Sequence, residues 1–586
     1  MIEFYFVVIA MSLMLMSLLF EIERPEVILA STLMVFVLTG IITPAEAISG
    51  FSNEGMLTIG LLFIVAGTIQ KSGIVDRALQ RLLKGATSNH HIMARLLPPI
   101  SLLSGFVNNT PIVIAATPMV KKWCEDKGIS PSKFLIPLSY ATILGGTITL
   151  IGTSTNLVVH GLLIENGHKG LSFFQLSAVG IPITLIGLGY LIFCSSALLP
   201  DRKVNVITES EALREFTGEV LVTRDFPYLN QTVKNAKLRS LKGLYLVSIL
   251  RDNTAIAPVS STTLLHEGDL LLFTGDISTI TELQRVKGLE LQSSSGSHFP
   301  EDHRLIEAVV THHSSLLFKK IKDTDFRSQH QAAVIAVHRQ NHRLKAKIGD
   351  IILKPGDILL MIVGDEFSKK KRSADFYSIT LLDEKLVTPK QIKKGWLAIG
   401  LLAVMIGLVT SGILSMLTAM AITTLLLFLF KFVSPGEIQN QIQWHVLLMI
   451  ACSFGIGLAL TNSGVATSIA HFLMNLASPY GLIAVLLSVY LLTNIFTEMM
   501  TNSAAAVLMF PIVVEVGKTM QIDLLPLAII VAISASSSFM TPIGYQTNLI
   551  VYGAGGYRFK DFIKIGAPLT VIVMIVTVIT VRFMWF

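Results

Sequence analysis

"GFVNNTPIV", residues 105–113, places Asn108, Asn109 and Thr110 in the middle of an apolar stretch and follows them with a proline. Why amides and hydroxyls should sit there depends on what surrounds them. Of the 586 residues, 52% are hydrophobic and only 15% charged, with a mean hydropathy of +0.65. That balance excludes an ordinary soluble enzyme and reads as a polytopic α-helical membrane protein. Residues 4–20, 27–42, 56–69, 173–199, 396–430 and 567–581 are poor in charge and long enough for spans of about 20 residues each. The stretch 396–430 holds two, broken near Ser411-Gly412. The first span follows Glu3 rather than a basic segment and precedes no small-residue cleavage site, so it reads as retained. Cys124, Cys194 and Cys452 show no paired spacing. The net charge of +7 gathers in the loops 76–95 and 121–133 and in a central segment, as a positive-inside topology requires, and needs no nucleic acid to explain it.

The central segment, 201–394, is polar and charged, with strand-like runs such as "GLYLVSILR", "DLLLFTGD", "AAVIAVHR" and "DILLMIVGD". It reads as a soluble α/β insertion between two membrane halves. Two units in it echo each other, each running from a short helix into a strand ending in Arg, a turn and a Gly-Asp pair opening a second strand. They are joined by the linker "LQSSSGSHFPED". His303, His312, His313, His330, His338 and His342 match no closed zinc spacing and read as surface histidines. The turn residues Arg251-Asp252-Asn253 and Arg339-Gln340-Asn341 fit turn chemistry as well as ligand binding.

The membrane halves repeat as well. Pro44 falls on Pro435 and Gly73 on Gly464 at an offset of 391 residues, Asn109 on Asn502 and Pro118 on Pro511 at 393, and Asn156 on Asn548 at 392. Units that each cross the membrane an odd number of times must be inverted. The expected count is five spans plus one re-entrant hairpin per half, with the amino terminus outside and 201–394 in the cytoplasm. Each half then has two polar breaks: a hairpin tip at 104–111 or 497–504, and a Gly/Thr/Asn break at 152–156 or 544–548. Bare amides are tolerated at membrane depth where protein or a water-filled cavity satisfies them, and inverted-repeat transporters bind substrate and coupling ions at such midplane breaks. Read singly, each Asn or Thr is as well explained by helix capping or interhelical bonding. Recurrence beside a Gly or Pro break in both halves favours a site. Glu498 is the one acid at a hairpin tip, and an intramembrane acid is a functional candidate by default.

These words resemble the divalent-anion/sodium symporter family over 1–200 and 395–586, and the insertion resembles a tandem of TrkA C-terminal domains at roughly 216–280 and 303–367. The family's hairpin signature, Ser-Asn-Thr, stands here as Asn108-Asn109-Thr110 and Thr501-Asn502-Ser503. Its second signature, Thr-Pro-Pro-Asn, stands as Thr153-Ser154-Thr155-Asn156 and Tyr545-Gln546-Thr547-Asn548, without the prolines. The resemblance implies sodium held by Ser104, Asn108, Asn109 and the Gly152 carbonyl in the first half, and by Thr497, Thr501, Asn502 and the Gly544 carbonyl in the second. It implies a dianion bound among Asn108, Asn109, Thr110, Thr153, Ser154, Thr501, Asn502, Ser503, Gln546 and Thr547. It further implies elevator-type alternating access, a homodimer in the cell membrane with lipid around it, and lobes that pair and can take a small regulatory ligand. Neutral oxygens suit a hard cation such as sodium, and a site without Arg or Lys suits a dianion partly neutralised by it.

The domains expected are a first transmembrane repeat (1–200), two TrkA C-terminal-like domains (201–290 and 291–386) and a second transmembrane repeat (387–586). The function expected is sodium-coupled symport of a divalent anion, sulfate first, with no organic cofactor. A sodium/dicarboxylate symporter, a cation/proton or oxyanion antiporter, and a non-transporting membrane sensor are the alternatives. No nucleophile beside a base, no phosphate loop and no zinc motif points to an enzyme.

Overall fold

The computed structural model describes residues 2–19, 22–52, 54–71, 89–202 and 389–586, except 434, 435, 437, 439, 440 and 443; between 217 and 378 the description is interrupted, most extensively at 276–285, 293–303 and 364–374. Gly73, the loop 76–88, Pro435, His303, His312, His313, Asp252, Asn253, Gln340, Asn341 and most of the linker lie outside the described residues. Two compact units are present. One comprises Met1–Arg202, Lys385–Val551 and Arg558–Phe586, the other Lys203–Glu384 and Tyr552–Tyr557.

The described part of the first unit is helical. In its first half run α1 (Ile2–Leu19), α2 (Pro25–Leu38), α3 (Pro44–Ser49), α4 (Glu54–Lys71), α5 (Asn89–Ser104), α6 (Asn109–Lys127), α7 (Leu135–Gly146), α8 (Ser154–Glu165) and α9 (Ser177–Leu198). In its second run α10 (Pro389–Thr410), α11 (Met416–Leu429), α12 (Trp444–Asn462), α13 (Val465–Ala477), α14 (Leu482–Met499), α15 (Asn502–Met520), α16 (Leu524–Ser536), α17 (Gln546–Ala554) and α18 (Phe559–Trp585). The starts are written locally. Pro25 and Pro44 occupy first turns, where a missing N–H costs nothing, and Thr43, Ser415 and Asp523 accept bonds from the first turns that follow them. The break expected near Ser411-Gly412 lies between α10 and α11, with Gly412 at φ +74°.

Among the described residues, five helical stretches are long and apolar enough to cross a membrane by length and composition, or six if the pair Val446–Asn462 and Val465–Tyr480, bent by 71°, is one span. α14 and α15 are among them, so length alone does not separate a hairpin arm from a span. α6 and α15 are both 19 residues long, open on Asn109 and Asn502, and carry Pro118 and Pro511 inside. Both end on a left-handed residue, Gly128 at φ 66° and Gln521 at φ 56°. Glycine takes that conformation freely, whereas glutamine takes it against its Cβ.

The second unit contains two five-stranded antiparallel sheets. β1 (Thr217–Val222), β2 (Leu244–Arg251), β3 (Thr254–Ile256), β4 (Leu270–Gly275) and β5 (Leu289–Gln292) lie in the order β3-β2-β4-β1-β5. β6 (Arg304–Val310), β7 (Ala332–Arg339), β8 (His342–Arg343), β9 (Ile358–Val363) and β10 (Phe376–Ser378) lie in the order β10-β6-β9-β7-β8. The same order is thus laid down twice, each sheet with its own apolar core. A register shift falls between Leu246 and Ser248 in one sheet and between Val334 and Ala336 in the other. Arg251 Nε donates to the fully buried Asp269 carboxylate at 2.7 Å, as Arg339 Nε does to Asp357. The Gly-Asp pairs, Gly268-Asp269 and Gly356-Asp357, lead directly into β4 and β9 as expected and also supply the buried acids that anchor the strand-ending arginines.

Two local expectations fail here. The helix expected ahead of β2 is a run of turns over 229–236, where Asn230 takes φ 60° and Thr232 bridges Leu264. In the other unit the counterpart is a 3-10 turn, Ile321–Asp323, and a five-residue helix, Phe326–His330. His330 is not a surface histidine: it is buried between Phe326 and Phe376, with Asp375 3.4 Å from its Nε2. An aromatic body with a polar rim can be buried once a carboxylate reaches the rim.

Candidate functional site

Asn109 is the first residue of α6, and its side chain is fully buried. Its Oδ1 accepts from the hydroxyl of Ser104, the last residue of α5, which also faces the Thr142 carbonyl at 2.8 Å. In the other half the Thr497 hydroxyl donates to Asn502 Oδ1 at 2.8 Å and faces the Ala535 carbonyl at 2.5 Å. Both hairpins therefore close in the same way. A hydroxyl one turn before the tip and the amide that opens the return helix turn their oxygens toward each other, across the carbonyl of a third helix.

The second breaks are also built alike. Where a helix stops in apolar surroundings its last carbonyls have no partner. Asn156 Nδ2 donates to the carbonyls of Gly146 and Thr149 at 3.1 and 2.9 Å, and Asn548 Nδ2 to those of Ser538 and Thr541 at 3.0 and 3.1 Å. Thr149 Oγ1 then donates to the Gly105 carbonyl, and Thr541 Oγ1 to that of Glu498 at 3.3 Å, tying each break to its hairpin. Glycine is required by close approach. A Cβ on Gly152 would lie 2.5 Å from the Gly146 carbonyl oxygen, and one on Gly544 2.1 Å from Ser538 Oγ and 2.8 Å from the Thr497 oxygen.

The two halves meet at these elements. Asn109 Nδ2 donates to the Tyr545 hydroxyl at 2.6 Å, to which Thr153 also hydrogen-bonds. Thr110 Oγ1 donates to Gln546 Oε1 at 3.2 Å. Ser139, on α7, lies 2.9 Å from Thr547 Oγ1 and 2.7 Å from Asn548 Oδ1, and the Tyr140 hydroxyl donates to the Phe539 carbonyl.

Ser104, Asn109, Thr110, Thr153, Gln546 and Thr547 are thus drawn into one buried polar network, with Gly152 packed against Gly146 beside Asn109. Thr497, Asn502 and Gly544 form a second cluster, where Asn502 is half-buried rather than sealed. Thr501 turns toward Met449, 3.9 Å from its sulfur. Among the described contacts no bond joins Asn108, Ser154 or Ser503 to the others; Ser503 is buried and the first two half-buried. Sequence reasoning missed Ser139, one of three hydroxyls in "LIPLSYATILGG", and the reach of Tyr545 into the opposite hairpin.

A family model described as citrate transporter matches residues 14–533 and 500–586. An uncharacterized transporter of Synechocystis is 32% identical, over 96% of this chain and 94% of its own length. The uncharacterized transporter YfbS of Escherichia coli is 27% identical over 95% of each chain. A sodium/sulfate cotransporter of Chlamydomonas reinhardtii is 24% identical over 92% of this chain and 84% of its own. With the match running over nearly its whole length, the chain belongs to the citrate transporter family and is a multi-pass membrane transporter.

Proposed function

We propose that the chain is a sodium-coupled symporter of a divalent anion, with sulfate as its substrate, working by elevator-type alternating access. The observation that carries this reading is the pair of matched hairpin clusters, Ser104–Asn109 and Thr497–Asn502, each beside an asparagine-tied helix break. Neutral oxygens at such breaks suit sodium, and helix starts at Asn109, Ser154, Asn502 and Gln546 offer N–H groups to an oxyanion. In this reading Ser104, Asn108, Asn109 and Gly152 hold one sodium ion and Thr497, Thr501, Asn502 and Gly544 another. The anion lies between the tips, among Asn108, Asn109, Thr110, Thr153, Ser154, Thr501, Asn502, Ser503, Gln546 and Thr547. The name of the Chlamydomonas relative supports sulfate and sodium; the description of the family model favours a carboxylate such as citrate as the second reading.

The halves are read as inverted repeats of five spans and a re-entrant hairpin, supported by the paired bonds and the equal lengths of α6 and α15. The strand-bearing unit is read as a cytoplasmic TrkA C-terminal-like tandem, supported by the repeated strand order, and the protein as a homodimer. Uptake of labelled sulfate, succinate and citrate into proteoliposomes, with and without a sodium gradient, tests the reading. Sodium-dependent sulfate uptake that succinate and citrate do not compete away is expected. Equal uptake without sodium refutes it, and a monomer by cross-linking in membranes refutes the dimer.

A further inference from the structure

His160, on α8, is buried and takes no part in the network of the proposed site. Its Nδ1 accepts the backbone N–H of Leu171 at 2.9 Å, so the neutral ring carries its proton on Nε2. The loop that brings Leu171 there is built against the ring: Gly170 takes φ +72°, and a Cβ on it would lie 2.7 Å from His160 Cε1. Nε2 has no hydrogen-bond partner among the described residues, and the ring lines a cavity of about 460 Å³, a size that holds a small organic molecule.

Two ionised side chains line the same cavity, the half-buried Glu54 at the start of α4 and the exposed Lys169 in the loop 166–176. Among the described residues neither forms an ion pair, with the other or with a third group. The buried side chains of Leu150, Phe173 and Met416 supply an apolar wall. An acid and a base held apart around one cavity, with a fixed N–H donor beside them, are complementary to a molecule that carries both signs of charge. The charges also stand on different bodies. His160 and Lys169 belong to α8 and the loop after it, within the stretch α6 to α9 that the cross-half bonds tie to the second half. Glu54, Thr410 and Met416 line the cavity from α4, α10 and α11, which none of those bonds touches. α9 is long and apolar enough to cross a membrane, and its Leu198 end leads into the segment read as cytoplasmic. The loop 166–176 precedes its other end, so the cavity opens on the outer face.

We propose that this cavity binds a small zwitterion with an apolar body, of the α-amino-acid class, with its ammonium on Glu54 and its carboxylate on Lys169 and His160 Nε2–H. Bound there, the molecule bridges the two bodies in the one arrangement in which they enclose the cavity, stabilises that arrangement and slows transport. The regulatory half of the proposal rests on the transport reading above.

L-Phenylalanine supplies all three parts, and phenethylamine and hydrocinnamate supply the same ring with one charge each. L-Phenylalanine should raise the thermal midpoint of the purified full-length protein, and each single-charge compound should need at least about tenfold more for the same shift. Glu54→Gln and Lys169→Gln should each lose the shift while keeping the ligand-free midpoint. At the outer face of right-side-out proteoliposomes, L-phenylalanine should lower the maximal rate of sulfate uptake by wild type, with no relief by excess sulfate. Glu54→Gln should transport at the wild-type rate and escape. No shift in wild type, or an equal shift in both variants, overturns the proposal. Equal shifts with hydrocinnamate make the ligand a plain anion and overturn the zwitterion, and inhibition that sulfate relieves places the molecule in the anion site instead. If the shift shows this Glu54 and Lys169 dependence but no sodium-driven sulfate flux exists, the transport reading fails and the cavity site stands.

Discussion

Tyr545→Phe removes a single oxygen, and the structure sets what that oxygen is worth. Asn109 has one donor bond, from Nδ2 to the Tyr545 hydroxyl at 2.6 Å, and its side chain is fully buried. Gly146 packs closely on the same amide, where a Cβ would lie 2.9 Å from both Nδ2 and Oδ1. Removing the acceptor therefore leaves a buried N–H unsatisfied, at about 1–3 kcal/mol. The amide can recover part of this by rotating, but rotation carries Oδ1 away from Ser104 and from the proposed ion. The cost appears in whichever state depends on the native amide orientation. If that is the sodium-bound state alone, the sodium concentration for half-maximal uptake rises by roughly fivefold at the lower bound and roughly 150-fold at the upper. If it is every folded state, the thermal midpoint falls and sodium affinity holds. Sodium-activation curves of sulfate uptake, read beside thermal unfolding of the same preparation in detergent, measure both. A variant with sodium activation within twofold of wild type and an unaltered thermal midpoint refutes the reasoning, for the bond would then contribute nothing.

Asn109→Ala and Asn502→Ala should each abolish sodium-dependent uptake while the protein remains monodisperse, since each deletes an oxygen no neighbour can replace; transport at wild-type rate by either removes the hairpin assignment. Gly544→Ala should lose uptake at normal expression, because its Cβ meets Ser538 and Thr497 atoms at 2.1 and 2.8 Å, whereas Gly407→Ala, with nothing within 4 Å, should match wild type. A chain joining residue 203 to residue 390 through a short linker should keep sodium and sulfate binding and change only the rate, because every proposed ligand lies outside the excised part. Loss of both binding activities in a folded preparation would place part of the site in the strand-bearing unit.

Apolar runs, helix breaks and strands were legible because each is encoded within a few residues. "GLYLVSILR" holds β2, "AAVIAVHR" is β7 from end to end, and the Ser411-Gly412 break is a glycine in left-handed conformation. Offsets between the halves showed Asn109 and Asn502 as equivalents, and both open a helix beside a hydroxyl. What sequence could not show was partnership across the halves. A comparison of repeats aligns Asn109 with Asn502, but the bonds formed run from Asn109 to Tyr545 and from Ser139 to Asn548, more than 400 residues apart. Tyr545 read as a departure from a signature, and only its position opposite Asn109 makes it a strut. His330 was misread for a related reason, since its burial depends on Phe376 and Asp375, which arrive from a distant strand and loop.

Those cross-half bonds bear on how access can alternate. Rocking one half against the other would pull apart Asn109–Tyr545, Thr110–Gln546, Ser139–Thr547 and Asn548, Tyr140–Phe539 and Tyr190–Ile565 together. Each bond contributes about 0.5–1.5 kcal/mol net, and each buried partner left bare costs about 1–3 kcal/mol. Five such sites, with little water to replace them, oppose that motion by several kcal/mol at the least. Every one joins α6, α7 or α9 of the first half to residues 539–548 or α18 of the second, and none involves α1 to α4 or α10 to α13. The polar elements of both halves are therefore tied to one another more firmly than to the first helices of their own halves. A movement that carries them as one body past α1 to α4 and α10 to α13 keeps the network intact, and slides mainly apolar side chains, which re-pack at small cost. The same ties make Ser139 and Tyr140 the residues whose loss should loosen the moving body without touching a proposed sodium ligand.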